Sequence, residues 1–155
     1  MKKGLLAALG MLPLAAFPGI LGVIANASTG NKLNDAGRGV PVRPPGWVFG
    51  LCWFVIYVCL GVSWVLSWRA DRTGQALTHT VFSALTIALA AWIVVYAKKG
   101  AMAAMYVMIM SVVLAVMAAL LASQRVTLAG LLVAPLVGWL VFASILNAEE
   151  VNRGT

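Results

Sequence analysis

Apolar residues run along this chain in long blocks rather than alternating with polar ones, and five blocks reach the length a helix needs to cross a bilayer. A hydrocarbon core about 30 Å thick takes about 20 apolar residues at about 1.5 Å per residue. The blocks lie at about 5–25, 46–68, 76–97, 101–122 and 127–147. Their connections are short except for 26–45, NASTGNKLNDAGRGVPVRPP, where Gly, Asn, Asp and Pro displace the apolar pattern and stop a helix. The pattern predicts an all-α integral membrane protein, a single five-transmembrane-helix bundle over residues 1–155. Residues 26–45 form its lid-like loop, the one connection long enough to fold over a cavity.

The first block admits a second reading. Lys2 and Lys3 precede it and Ala25-Asn26-Ala27 closes it, as in a cleaved signal peptide. Its apolar run exceeds the usual signal length, so a retained helix is expected, kinked at Pro13 and Pro18.

Composition agrees with the pattern. Of 155 residues, 63% are hydrophobic and 10% charged, more apolar surface than a soluble domain of this size could bury. The formal charge of +7 comes from Lys and Arg scattered in short connections, which suits phospholipid headgroups and excludes a nucleic-acid surface. Lys2, Lys3, Arg69, Arg72 and Arg125 fall on one side, and Lys32, Arg38, Arg43, Lys98, Lys99 and Arg153 on the other. Five against six leaves the orientation undecided by the positive-inside rule. Cys52 and Cys59, seven residues apart in one helix, are too far apart for a disulfide and read as small buried residues.

Within the second block, Trp53, Tyr57, Gly61, Trp64 and Trp68 fall inside an arc of about 80° at about 100° per residue. Such a stripe offers flat polarizable surface, indole N–H and phenol O–H to a planar apolar guest; packing against neighbouring helices is the plainer alternative. Trp47 lies off the stripe, directly behind the prolines, and reads as an interfacial anchor. In the fifth block Pro135, Trp139, Phe142 and Leu146 share a face, with the small Ala143 beside them and Asn147 at the end. A kinked helix with an indole one turn later makes a pocket wall. The methionines of the fourth block, and its Ala115-x-x-x-Ala119 pair, read as packing or subunit contact.

Other chemistry is sparse. Asp35, Asp71, Glu149 and Glu150 are assigned to loops or termini, so no carboxylate sits mid-membrane for proton-coupled transport. His79 could ligate a haem iron or shuttle a proton, but within a turn of its helix start it reads as interfacial. No metal-ligand spacing, phosphate loop or catalytic triad can be assembled, so no catalytic residue is assigned.

Pro44-Pro45-x-Trp47-Val48-Phe49 followed by Trp53, Tyr57, Gly61 and Trp64, then Trp92 with Tyr96, Lys98 and Lys99, then PLVGWLVFASILN at 135–147, resemble the translocator protein family, TspO, the tryptophan-rich sensory proteins. The resemblance runs essentially end to end. It implies five membrane helices, often dimeric, around a pocket beneath the first loop that receives porphyrins, haem-like tetrapyrroles, sterols or synthetic aromatic ligands. On that likeness Trp53, Tyr57, Trp92, Trp139, Phe142 and Ala143 are expected at the ligand, and Pro44, Pro45 and Trp47 at the pocket mouth. Leu89, Leu136 and Val42 stand where the family usually has asparagine, tyrosine and tryptophan, which implies a drier cavity. No tyrosine follows Tyr106, so the family's C-terminal sterol motif is not reproduced.

The expected function is a membrane receptor for a tetrapyrrole or similar planar apolar molecule, with the lipid bilayer and a second copy of the chain as partners and a bacterial cell membrane as location. No cofactor is required. The alternative is a transporter or exporter of a small amphipathic metabolite. Porphyrin degradation enters through the resemblance alone.

Overall fold

The computed structural model describes residues 2–70 and 73–154, with side chains described from Gly10 onward. Asp71 and Arg72, and the side chains of Lys2 and Lys3, lie outside the described residues, so their part in the charge count is not tested. The elements are α1 (Lys2–Ser28), a 3-10 turn at Lys32–Asp35, α2 (Gly46–Arg69), α3 (Gln75–Arg125) and α4 (Thr127–Arg153). Among the described residues there is no strand, and four helices are long and apolar enough to cross a membrane.

Five helices were expected, so the count is corrected to four. The expected third and fourth spans both lie in α3, 51 residues long, with no loop between them. The break is one residue: Gly100 takes φ 82°, ψ −179°, a conformation open to glycine because it has no Cβ. The chain reverses there. Arg125 Nε donates to Thr78 Oγ1 at 2.9 Å, although a straight helix would hold these residues about 70 Å apart. Limbs 75–99 and 101–125 therefore lie side by side.

The second limb buries Ala101, Ala104, Met108, Ser111, Ala115, Ala118 and Ala122. These repeat at alternating steps of three and four, the spacing of a coiled-coil seam, and small residues there let backbones approach. Against this seam lie Ala129, Val133, Leu136 and Leu140 of α4, all fully buried or nearly so. Of the methionines, Met108 packs inside while Met102, Met110 and Met117 face outward. Ser63 of α2 donates to the Ala129 carbonyl at 2.7 Å, a buried link between α2 and α4 that satisfies a hydroxyl where no water is at hand.

Candidate functional site

The side-chain-poor faces of α1 and α2 create the main cavity. A Cβ on Gly61 would lie 1.8 Å from the Ala15 carbonyl oxygen, so only glycine lets the two helices touch there. Toward the loop, Gly19 and Gly22 of α1 face the Tyr57 ring and hydroxyl, while Gly46 and Gly50 of α2 meet nothing within 4 Å. Pinned at Gly61 and thinned by glycines beyond it, the helices enclose a cavity of about 870 Å³ beneath the loop, which runs over 29–45 and not 26–45 as expected, because α1 continues to Ser28. Ile20, Val23 and Ile24 of α1 and Phe54 of α2 border the cavity and are themselves exposed, Phe54 by 67%. Its side thus opens between α1 and α2 toward the surrounding lipid.

Aromatic rings form the inner wall. Trp53 and Tyr57 line the cavity and stack on each other, with centroids 5.3 Å apart and planes 28° from parallel. Behind them Trp139 stands edge-on to Trp53 at 6.2 Å and to Phe49 at 5.2 Å, and Phe142 leans on Trp139 at 5.5 Å. The indole Nε1 atoms of Trp53 and Trp139 are buried without a hydrogen-bond acceptor. The Tyr57 hydroxyl, packed against Gly22, forms no hydrogen bond within the described residues.

The expected site residues therefore fall into three groups. Trp53 and Tyr57 face the cavity; Trp139 and Phe142 back the wall without lining it. Trp92 and Ala143 instead line a narrow void of about 20 Å³ with Ala36, Gly37 and Glu150, and Trp92 also borders one of about 10 Å³ beside Trp53 and Tyr57. Of the expected mouth residues, Pro45 precedes α2 as its N-cap and Pro44 is half-buried, but neither lines the cavity. Trp47 points outward with 72% of its surface exposed. Arg43, Asn34 and Asn26 occupy the mouth instead.

Sequence reasoning missed Arg43 as a site residue because it counted only as one of the loop cations. Its Nε donates to the Ala36 carbonyl and its Nη2 to the Asn34 carbonyl, both at 2.8 Å, and the guanidinium lies 5.3 Å from the Phe49 ring centre. The one available signal was its place directly before the double proline, where an extended backbone holds the side chain close to the first turn of α2.

Glu149 and Glu150 were assigned to a terminus, and here the structure corrects the sequence. Both lie inside α4, which continues past the apolar block to Arg153, and Glu150 is buried. Its Oε2 accepts the Gly37 N–H of the loop at 3.3 Å and its Oε1 accepts the Tyr96 hydroxyl at 2.5 Å. One turn earlier, Asn147 accepts the Trp92 indole N–H at 3.4 Å and donates to the Ala101 carbonyl at 2.8 Å. Together these bonds tie the loop, both limbs of α3 and α4 at the loop end of the bundle.

His79 stands at the opposite end. Its Nδ1 accepts the Trp64 indole N–H at 2.8 Å and its ring leans on Trp68 at 4.3 Å, well away from the cavity. Trp64 is buried between His79 and Phe82, so the lower half of the aromatic stripe packs the bundle rather than lining a hollow.

Comparison with known proteins gives two findings. The family model described as TspO/MBR family matches residues 11–151. The chain is similar to the tryptophan-rich protein TspO of Archaeoglobus fulgidus, 28% identical over 105 residues, which cover 67% of this chain and 68% of that one.

Proposed function

The chain belongs to the TspO/MBR family, and from that premise we propose that it is a membrane receptor that binds a tetrapyrrole or similar planar apolar molecule in the cavity between α1 and α2. The observation that carries this reading is the cavity itself: about 870 Å³, walled by the stacked pair Trp53 and Tyr57. Drug-sized ligands occupy pockets of about 300–1,000 Å³, mostly apolar with a few polar groups to fix orientation. The guest stacks beside Trp53, and its heteroatoms offer an acceptor to the Tyr57 hydroxyl. Trp139 and Phe142 hold Trp53 in place, and Trp92 and Ala143 support the lid from below. Affinity comes from buried apolar area, at about 25 cal/mol per Å² before ordering costs.

On this reading the two limbs of α3 cross the bilayer separately, so the chain spans it five times in a bacterial cell membrane, as a homodimer. The test is a titration of detergent-purified protein with protoporphyrin, followed by tryptophan quenching. Saturable quenching is expected in the parent, and a loss of about tenfold or more in affinity in Trp53→Ala, with a smaller loss in Trp139→Ala. If both variants match the parent, the guest does not sit here.

The lateral opening between α1 and α2 favours one rival, passage of an amphipathic metabolite through the same cavity. That reading requires protein-dependent flux in proteoliposomes, whereas a receptor shows saturable binding without flux.

A further inference from the structure

The cavity is apolar along most of its wall, yet its loop end holds a fixed positive charge. Arg43 is half-buried there and both of its hydrogen bonds go to neutral carbonyls. The ion pairs found among the described residues join other partners, Arg38 to Asp35 and Arg153 to Glu149, and no acidic residue lines the cavity. A guanidinium carries five N–H donors in a rigid plane, and the two carbonyl bonds use two of them. Those bonds and the Phe49 ring already fix its position, so the donors left over can meet a guest without further loss of side-chain freedom.

A second feature has the same sign. Gly46, the first residue of α2, borders this end of the cavity, and the first turn of that 24-residue helix has neither an acidic residue nor a side-chain cap. The positive end of the helix dipole therefore adds to the field of Arg43. Where the medium nearby is hydrocarbon, an uncompensated charge is costly, and an anionic group brought in by a guest lowers that cost.

We propose that Arg43 reads a carboxylate on the guest, so that the cavity selects anionic amphiphiles: a carboxylate at the loop end, and an apolar body lying along Trp53 and Tyr57. This rests on the cavity being the ligand site. Carboxylate geometry matches the guanidinium fork and allows two parallel N–H···O bonds, and the lateral opening lets the apolar body arrive from the bilayer while the charged group stays at headgroup depth.

The test compares protoporphyrin, which carries two carboxylates, with its dimethyl ester, in the parent and in Arg43→Gln and Arg43→Lys, by tryptophan quenching. The parent is expected to bind the acid about tenfold more tightly than the ester. Arg43→Gln should abolish that preference while leaving ester affinity within about twofold, and Arg43→Lys, which keeps the charge without the fork, should retain part of it. Equal binding of acid and ester by the parent overturns the proposal, as does a loss in Arg43→Gln that is the same for both, since that marks a purely structural arginine. If neither compound binds the parent, the receptor reading itself fails, an outcome distinct from either. Oleate brings the same carboxylate on a linear chain, and its competition with protoporphyrin tells a lipid acid from a planar one: displacement that depends on Arg43 extends the proposal to both.

Discussion

Two helix pairs in this bundle solve the same packing problem in opposite ways. Between α3 and α4 an alanine seam with a three-four repeat brings the backbones together along the whole contact, with Ala104, Ala115, Ala118, Ala122 and Ala129 fully buried. Between α1 and α2 the backbones touch at Gly61 and Ala15, Gly19 and Gly22 make room only for the Tyr57 ring, and past it Gly46 and Gly50 face open space. Lipid tails provide no hydrophobic drive for helix association, so van der Waals contact decides where helices adhere. A continuous seam makes a rigid support, and a contact broken by glycines and bridged by one tyrosine ring leaves room beside it. The cavity lies where contact was withheld.

Gly61→Ala should break that comparison most severely. The added Cβ would meet the Ala15 carbonyl, which is backbone and cannot rotate away, so α1 must move off α2. A cost of about 3 kcal/mol or more is expected, at the upper end for overpacking. The measurement is thermal unfolding in detergent; a variant that melts with the parent would show that α1 and α2 are not pinned at this point.

Next comes the bond between the α4 end and the lid. Glu150→Leu leaves the Gly37 N–H and the Tyr96 hydroxyl without their carboxylate, at an expected cost of about 1–3 kcal/mol. The loss should be local, read as faster amide hydrogen exchange in residues 30–40 with exchange in the α3–α4 seam unchanged. Uniformly faster exchange would mean that Glu150 supports the whole bundle and not the loop.

How far the sequence showed these features depends on the solvent. Block lengths placed the membrane helices and the long loop, and the lone Gly100 after Lys98 and Lys99 lies at the point of reversal. Which face of each helix looks inward was much less legible, because a bilayer rewards apolar residues on both faces. Trp53 and Trp64 share a stripe, yet one lines the cavity and the other packs against His79 and Phe82. Hydropathy also set the end of the last block at 147, more than a turn short of the end of α4, which is why Glu150 looked terminal. Arg43 needed coordinates, since its place before the double proline shows only that it sits near the first turn of α2, not that its guanidinium is clamped at the cavity mouth.

A substitution on the open side of the cavity sharpens the contrast by separating stability from binding. A Cβ at Gly50 meets nothing within 4 Å, so Gly50→Leu starts a good helix former's side chain into open space beside the cavity. Unfolding temperature should stay within about 2 °C or rise slightly, while protoporphyrin affinity falls about tenfold because the side chain fills the guest's space. Unchanged affinity would place the guest elsewhere on the bundle.

The smallest effect is expected at Trp47, although it belongs to the most distinctive block of the sequence. Its ring is 72% exposed and lies outside the cavity wall, in the first turn of α2, where an indole can serve as an interfacial anchor. Trp47→Leu should change stability by less than about 0.5 kcal/mol and affinity by less than about twofold, because neither the aromatic wall nor the loop contacts involve it. Should this variant lose binding as Trp53→Ala is expected to, the guest would be held on the outer surface of α2 instead, and the space between α1 and α2 would be no more than a gap for lipid.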